Sequence, residues 1–271
     1  MLVFPNCKIN IGLFITNRRE DGYHDLETVF YPVTGLKDAL EMVPAKNGAT
    51  TIHLSGKAVA GEQEKNLVWK AWQLLHKKFP GKVAPLDMYL HKVIPMGAGM
   101  GGGSADGAFA LRLINDLCKL GLSDEQLAEL ALQLGSDCPF FIYNTPQFAT
   151  GRGDKMQPVP VDLSAYSMQI ICPDIHVSTA AAFSNITPKP VAYDLRQLQE
   201  LPVTGWKDVV FNDFEQTVFK IHPELGQIKQ QLYNAGAVYA SMTGTGSAVY
   251  GIFEKGGKSS NNYNAEIHFF E

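Results

Sequence analysis

From Pro95 to Gly107 the chain reads Pro-Met-Gly-Ala-Gly-Met-Gly-Gly-Gly-Ser-Ala-Asp-Gly, six glycines in thirteen residues. Glycine tolerates positive φ and lets backbone approach a ligand closely. Where a helix follows, its first N–H groups lack intrahelical acceptors and attract an anion. Ser104 adds a hydroxyl there. So many glycines cost more chain entropy than a connection requires, and the stretch reads as a phosphate loop. Gly97-x-Gly99-x-x-Gly102 also satisfies the dinucleotide fingerprint. Against that, the loop lies mid-chain, and the position about twenty residues on falls inside a helix instead of ending a second strand. A Walker A loop needs a lysine before its Ser/Thr, and none stands between Pro95 and Gly107. Protein-kinase His-Arg-Asp and Asp-Phe-Gly elements are missing as well.

Three further places could carry chemistry. Met242-Thr-Gly-Thr-Gly-Ser-Ala248 is a hairpin turn by itself; beside the first loop it becomes a second wall of a phosphate pocket. In Gly135-Ser-Asp-Cys-Pro-Phe-Phe141, Asp137 is either a helix cap or a carboxylate near a reacting hydroxyl. Lys8 is either a solvated lysine on a strand or a partner for Asp137. Together they make chemical sense: a lysine keeps an aspartate ionised and steadies charge on a transferring phosphoryl group.

The elements that must position these groups follow from periodicity. Over residues 3–16 the apolar side chains fall on odd positions, predicting a strand that places Lys8 and Asn10 on one face. Residues 28–33, 39–43, 51–54 and 86–94 also read as strands, and residues 66–79 as an amphipathic helix. The glycine loop leads into a helix over 104–120. Ser123 and Gln126 form a capping box for the next helix, closed by Gly135. Strands are predicted over 140–143, 148–151 and 167–172, a short helix capped by Ser178, and helices over 212–222 and 223–234. Residues 238–242 and 247–253 are strands flanking the Thr-Gly-Thr-Gly turn. Such mixing predicts an α+β fold.

Composition narrows the function. The chain has 271 residues, 18% charged, with a formal net charge of −4, which excludes a broadly basic nucleic-acid surface. Cys7, Cys118, Cys138 and Cys172 contain no Cys-x-x-Cys pair, which fits a reducing cytoplasm better than a zinc site. There is no signal-peptide pattern and no apolar run of bilayer length. A soluble cytoplasmic protein of bacterial type is expected, with neither membrane nor nucleic acid as partner. Polar residues 255–264 read as a surface loop. Monomer and homodimer fit equally.

These segments, in this order, resemble the motifs of the GHMP small-molecule kinases, which include the galacto-, homoserine and mevalonate kinases. Pro5-Asn-Cys-Lys-Ile-Asn10 with Arg18-Arg-Glu-Asp-Gly-Tyr-His24 is more similar to the branch acting on 4-diphosphocytidyl-2-C-methyl-D-erythritol. The likeness runs over residues 3–253. It implies a two-domain GHMP kinase fold: a ribosomal-S5-like ATP-binding and catalytic domain over 1–145, and a ferredoxin-like GHMP domain over 146–271 contributing to the substrate cleft. It implies transfer of the ATP γ-phosphate, with Mg²⁺, to the 2-hydroxyl of that CDP-linked alcohol in non-mevalonate isoprenoid biosynthesis.

Carried over by residue, the resemblance implies catalytic roles for Lys8 and Asp137. ATP would be held by Asn66, by Pro95, Met96, Gly97, Ala98, Gly99, Met100, Gly101, Gly102, Gly103, Ser104 and Ala105, and by Thr243, Gly244, Thr245 and Gly246. The CDP-alcohol would be held by Asn10, Tyr23, His24 and Phe183, with the two aromatics stacking on cytosine. No acidic residue is named as a metal ligand, leaving Ser104 as the candidate. Three positions depart from the pattern: Cys7 and Gly107 replace alanine, and Asp106 replaces a nucleotide-contacting asparagine, so it is assigned no contact. The competing readings are a homoserine or mevalonate kinase, a dinucleotide-dependent oxidoreductase, and a non-catalytic nucleotide-binding regulator.

Overall fold

A computed structural model describes residues 1–58, 62–184, 186–261 and 263–270. The strands are β1 (Leu2–Val3), β2 (Asn6–Arg18), β3 (His24–Lys37), β4 (Ala39–Pro44), β5 (Thr51–Gly56), β6 (Leu86–Lys92), β7 (Gln147–Thr150), β8 (Lys155–Pro158), β9 (Tyr166–Pro173), β10 (Tyr239–Met242), β11 (Val249–Glu254) and β12 (Ala265–Phe270). The helices are α1 (Leu67–Lys78), α2 (Gly102–Leu117), α3 (Asp124–Leu134), α4 (Cys138–Tyr143), α5 (Thr179–Ser184), α6 (Val203–Val209), α7 (Phe214–Ile221) and α8 (Pro223–Asn234).

Two compact units result. The first comprises Met1–Lys8, Pro32–Met96 and Gly101–Thr145. Its sheet has the order β1-β4-β6-β5, with β5 and β6 parallel and the other pairs antiparallel. Strand β6 buries Leu86, Met88 and Leu90, and the same alternation turns Lys92 inward. Asn66 caps α1 by accepting the Val68 N–H, while His76, Lys77 and Lys78 complement the dipole at the other end. The Ser123/Gln126 capping box opens α3 as expected. Helix α2 lies close to α1 at Gly107, where an added Cβ would stand 2.9 Å from Leu67 Cβ. That glycine serves close packing, which offsets its low helix propensity.

The second unit comprises Ile9–Tyr31, Gly97–Met100 and Pro146–Glu271. Ile9–Tyr31 and Gly97–Met100, within the 1–145 range assigned above to one module, belong here. The reasons are local: β3 pairs with β7, and Ala98 and Gly99 hydrogen-bond to the segment around Thr243. One sheet has the order β2-β3-β7-β8 and the other β10-β11-β9-β12. A core including Leu13, Ile15, Ile171, Phe214, Leu232 and Phe253 joins them to α7 and α8.

Some elements differ from expectation. Residues 140–143, expected as a strand, are helical. Pro139 starts α4 and Asn144 ends it in the left-handed region at φ 49°. A short apolar run does not distinguish a buried helix from a strand. Strand β12 and helix α6 had no clear periodicity to announce them. Within residues 255–264 the described part is not all surface: Ser259 and Tyr263 are buried, and Ser259 bonds to Gln169. Asn262 lies outside the described residues.

Candidate active site

In the first unit, β6 leads into the glycine loop and the loop into α2. Gly101 is the residue before the helix, at φ 70°. A Cβ there would come 2.9 Å from Phe141 Cζ and 3.3 Å from Lys8 Cε. Only glycine allows both this turn and this approach. The Lys8 stem therefore lies against the backbone that opens α2, whose N–H groups at Gly102, Gly103 and Ser104 form a helix N-terminus suited to an anion.

Lys8 Nζ stands 3.6 Å from Asp137 Oδ2, an ion pair longer than a hydrogen bond. The Lys8 side chain is 4% exposed and that of Asp137 35%. Burial pushes the Lys8 pKa down, and the Asp137 carboxylate opposes this. Lys8 is thus not a solvated strand lysine. Nor does Asp137 cap α4: it occupies the cap position at φ −82° and ψ −15° without a capping bond. Its carboxylate faces the lysine. The next residue, Cys138, is a buried thiol pushed up to about 12 by desolvation, against a hydrogen bond with the Ser104 hydroxyl.

In the second unit the two glycine motifs meet. Thr243 Oγ1 donates to the Gly99 carbonyl at 3.1 Å, and Ala248 N–H to the Ala98 carbonyl at 3.2 Å. Gly99 has φ 77°, and a Cβ on it would run into the Thr243 carbonyl. Asn212 Nδ2 holds the turn from Thr243 to Gly246 by donating to the carbonyls of Met242 and Gly244, at 2.8 and 2.9 Å. Asn10 is 2% exposed: its Nδ2 donates to Thr28 and its Oδ1 accepts from Thr243. The Asn10 carbonyl accepts from Tyr250 Oη at 2.7 Å. Asn10 thus locks the glycine motifs to β2. Asn212 and Tyr250 escaped the sequence reading, since their partners lie 30 to 240 residues away.

Of the aromatic residues expected at the CDP-alcohol, His24 and Phe183 lie together. His24 stacks on Phe183 at 5.0 Å between centroids, and Phe183 packs edge-on to Phe214. Tyr23 is 57% exposed and lies under the Arg152 guanidinium at 5.0 Å. Nothing in the sequence marked Arg152. Two positions are engaged elsewhere in the first unit. Asn66 Oδ1 caps α1. Asp106 is buried and turns to Lys92, 2.7 Å away, and Asp38. Burial pushes its carboxyl up to about 8, with Lys92 opposing. Among the described residues no three His, Cys, Asp or Glu side chains cluster as a metal site, and no helix is long and apolar enough to cross a membrane.

Comparison with known proteins identifies the family. Residues 66–145 match the GHMP kinases N terminal domain and residues 195–265 the GHMP kinases C terminal domain. A 4-diphosphocytidyl-2-C-methyl-D-erythritol kinase of Bacteroides thetaiotaomicron is 50% identical over 259 residues, 95% of this chain and 93% of the relative. One of that name from Azobacteroides pseudotrichonymphae is 46% identical over 274 residues, covering 100% of both chains. A crystal structure of 4-(cytidine 5'-diphospho)-2C-methyl-D-erythritol kinase superposes with a TM-score of 0.76 at 30% identity, covering 93% of this chain and 90% of that one. The Methanococcus jannaschii mevalonate kinase shares the fold at 14% identity, with a TM-score of 0.75 over 99% of this chain and 97% of its own.

Proposed function

The chain belongs to the GHMP kinases, and from that premise we propose that it transfers the γ-phosphate of ATP to the 2-hydroxyl of 4-diphosphocytidyl-2-C-methyl-D-erythritol, in non-mevalonate isoprenoid biosynthesis. The observation that carries the reaction type is the Lys8–Asp137 pair set against Gly101 at the start of α2. The substrate rests on full-length relatives of that name, together with Tyr23, His24 and Phe183.

The α2 N-terminus receives the nucleotide phosphates, because its N–H groups and dipole supply positive potential without a Walker lysine. Residues 95–105 and 243–246 are assigned to the nucleotide as glycine-rich backbone suited to phosphate. Mg²⁺ would accompany the nucleotide and supply charge neutralisation, and Ser104 is the residue of this chain that would hold it. Asp137, partly exposed, accepts a hydrogen bond from the acceptor hydroxyl and orients it toward the phosphorus. The adjacent Lys8 pairs with that carboxylate and offsets charge on the transferring group. Burial makes the lysine more effective, since Coulomb attraction strengthens as water is excluded. Tyr23, His24 and Phe183 recognise the cytosine by stacking and hydrogen bonding. The four cysteines are thiols, which suits a reducing cytoplasm.

The deciding experiment incubates purified protein and Mg·ATP with the CDP-alcohol, homoserine and mevalonate in parallel. ADP and phosphorylated product with the CDP-alcohol alone are expected. Turnover of either other alcohol in its place overturns the substrate assignment, and turnover of none overturns the activity.

A further inference from the structure

Three ionisable side chains are sealed inside the first unit away from Lys8 and Asp137. Lys92 and Asp38 are each 1% exposed and Asp106 is 3% exposed. Lys92 Nζ donates to Asp38 Oδ2 and, at 2.7 Å, to Asp106 Oδ2. An apolar trio would be a cheaper way to fill this volume, because burying ions is costly even when they pair. What the polar trio adds is direction, since it ties together three separate pieces of chain.

Asp38 sits between β3 and β4 and reaches the start of the glycine loop. Its Oδ1 accepts the N–H of Val93 at 2.5 Å and that of Ile94 at 2.9 Å. Asp106 sits on α2, after the loop has ended. Lys92 bridges the two. The ends of the loop also touch: a Cβ on Gly102 would stand 2.8 Å from Ile94 Cγ2 and 3.4 Å from Lys92 Nζ. The chain thus leaves this point at Ile94 and returns to it at Gly102, one residue past the glycine that supports the Lys8 stem.

We infer that Lys92, Asp38 and Asp106 are positioning residues that clamp the two ends of the phosphate loop together and so fix the α2 N-terminus beside Lys8. The kinetic part rests on the kinase reading above. A cluster that served only core stability would lower the unfolding temperature and leave nucleotide recognition alone. A clamp acts on ATP selectively.

The test compares wild type with Asp106→Ala, which keeps the Lys92–Asp38 pair, with Asp106→Asn, which keeps an acceptor for Lys92, and with Lys92→Met. Asp106→Ala is expected to raise KM for ATP about tenfold or more, as misplaced binding groups do. KM for the CDP-alcohol is expected to stay within about twofold, the range of a neutral change, and Asp106→Asn to recover most of the loss. Hydrogen exchange of the loop amides over residues 96–104 is read on the same proteins without ligand, and is expected to speed up in Asp106→Ala. That measurement needs no activity, so a wild type that phosphorylates nothing defeats the kinase reading while the clamp is still tested. Unchanged loop exchange, or KM values that rise equally for both substrates, overturns the clamp. Lys92→Met is expected to exaggerate the Asp106→Ala pattern; should it fail to fold, the two Asp106 variants decide.

Discussion

Gly101 and Gly103 stand two residues apart at the start of α2, and alanine should have opposite consequences at the two. At Gly101 the backbone has φ 70°, where an L side chain costs roughly 1–2 kcal/mol. The new Cβ would also lie 2.9 Å from the Phe141 ring and 3.3 Å from Lys8 Cε. Phe141 is fully buried and has little room to withdraw. Overpacking of this kind costs about 1–3 kcal/mol. Gly101→Ala is therefore expected to destabilise by about 2–5 kcal/mol, a fall in the unfolding midpoint of roughly 4–20 °C for a protein this size. It should also lower kcat, because relief of the clash displaces the Lys8 stem. At Gly103 the backbone is outside the positive-φ set, and the nearest atom to an added Cβ is Met96 Cε at 3.8 Å. Gly103→Ala should fold as well as wild type or gain up to about 1 kcal/mol of helix propensity. It should nonetheless raise KM for ATP, because the methyl group would occupy space reserved for phosphate at a helix N-terminus. Thermal unfolding and steady-state kinetics on both variants measure this directly. Gly101→Ala with wild-type stability refutes the packing account. Gly103→Ala with wild-type stability and wild-type KM for ATP refutes the phosphate account.

Other expectations concern single side chains. Asp137→Asn should lower kcat by about 10²–10⁴-fold, the range for removal of a positioned proton acceptor, with little change in nucleotide affinity by calorimetry; near-normal turnover removes Asp137 from the mechanism. Tyr23→Ala should raise KM for the CDP-alcohol far more than KM for ATP, and equal rises contradict stacking on the base. Asp106 carries a pH signature. Folded, it keeps its proton to about pH 8; unfolded, it releases it near 3.8. The folded state therefore binds more protons between those values, and stability from this residue is lost as pH rises through that window. Urea midpoints at pH 5 and 8 should fall more in wild type than in Asp106→Asn, and parallel falls disprove the assignment.

How far the residues disclosed this arrangement depends on the distance between partners. The period-two pattern of β2 placed Lys8 and Asn10 on one face, and glycine spacing located both loops, because those signals are local. Burial of that face was not local information. Residues Asn6 to Ile15 are all buried, so a lysine that reads as solvated is desolvated and paired with a carboxylate on α4. Lys92 carried a fainter signal: it continues the alternation of Leu86, Met88 and Leu90 into the core. That its charge is tolerated there depends on Asp38, 54 residues earlier. The helix at residues 138–143 was missed because six residues do not fix a period. Arg152 over Tyr23 was invisible because no pattern links positions so far apart.

The bonds from Thr243 and Tyr250 to Asn10 span 233 and 240 residues. Closing loops of that length carries an entropic cost that local contacts avoid. A ribosome delivers Asn10 240 residues before Tyr250. During that interval the opening strand waits without the partners that satisfy it, while the segments of the first unit are already complete at Thr145. A stalled or prematurely terminated product would therefore present Ile9–Tyr31 with these polar groups unsatisfied, the kind of exposed strand that recruits other chains. Synthesis through Tyr250 is what supplies the groups that satisfy Asn10.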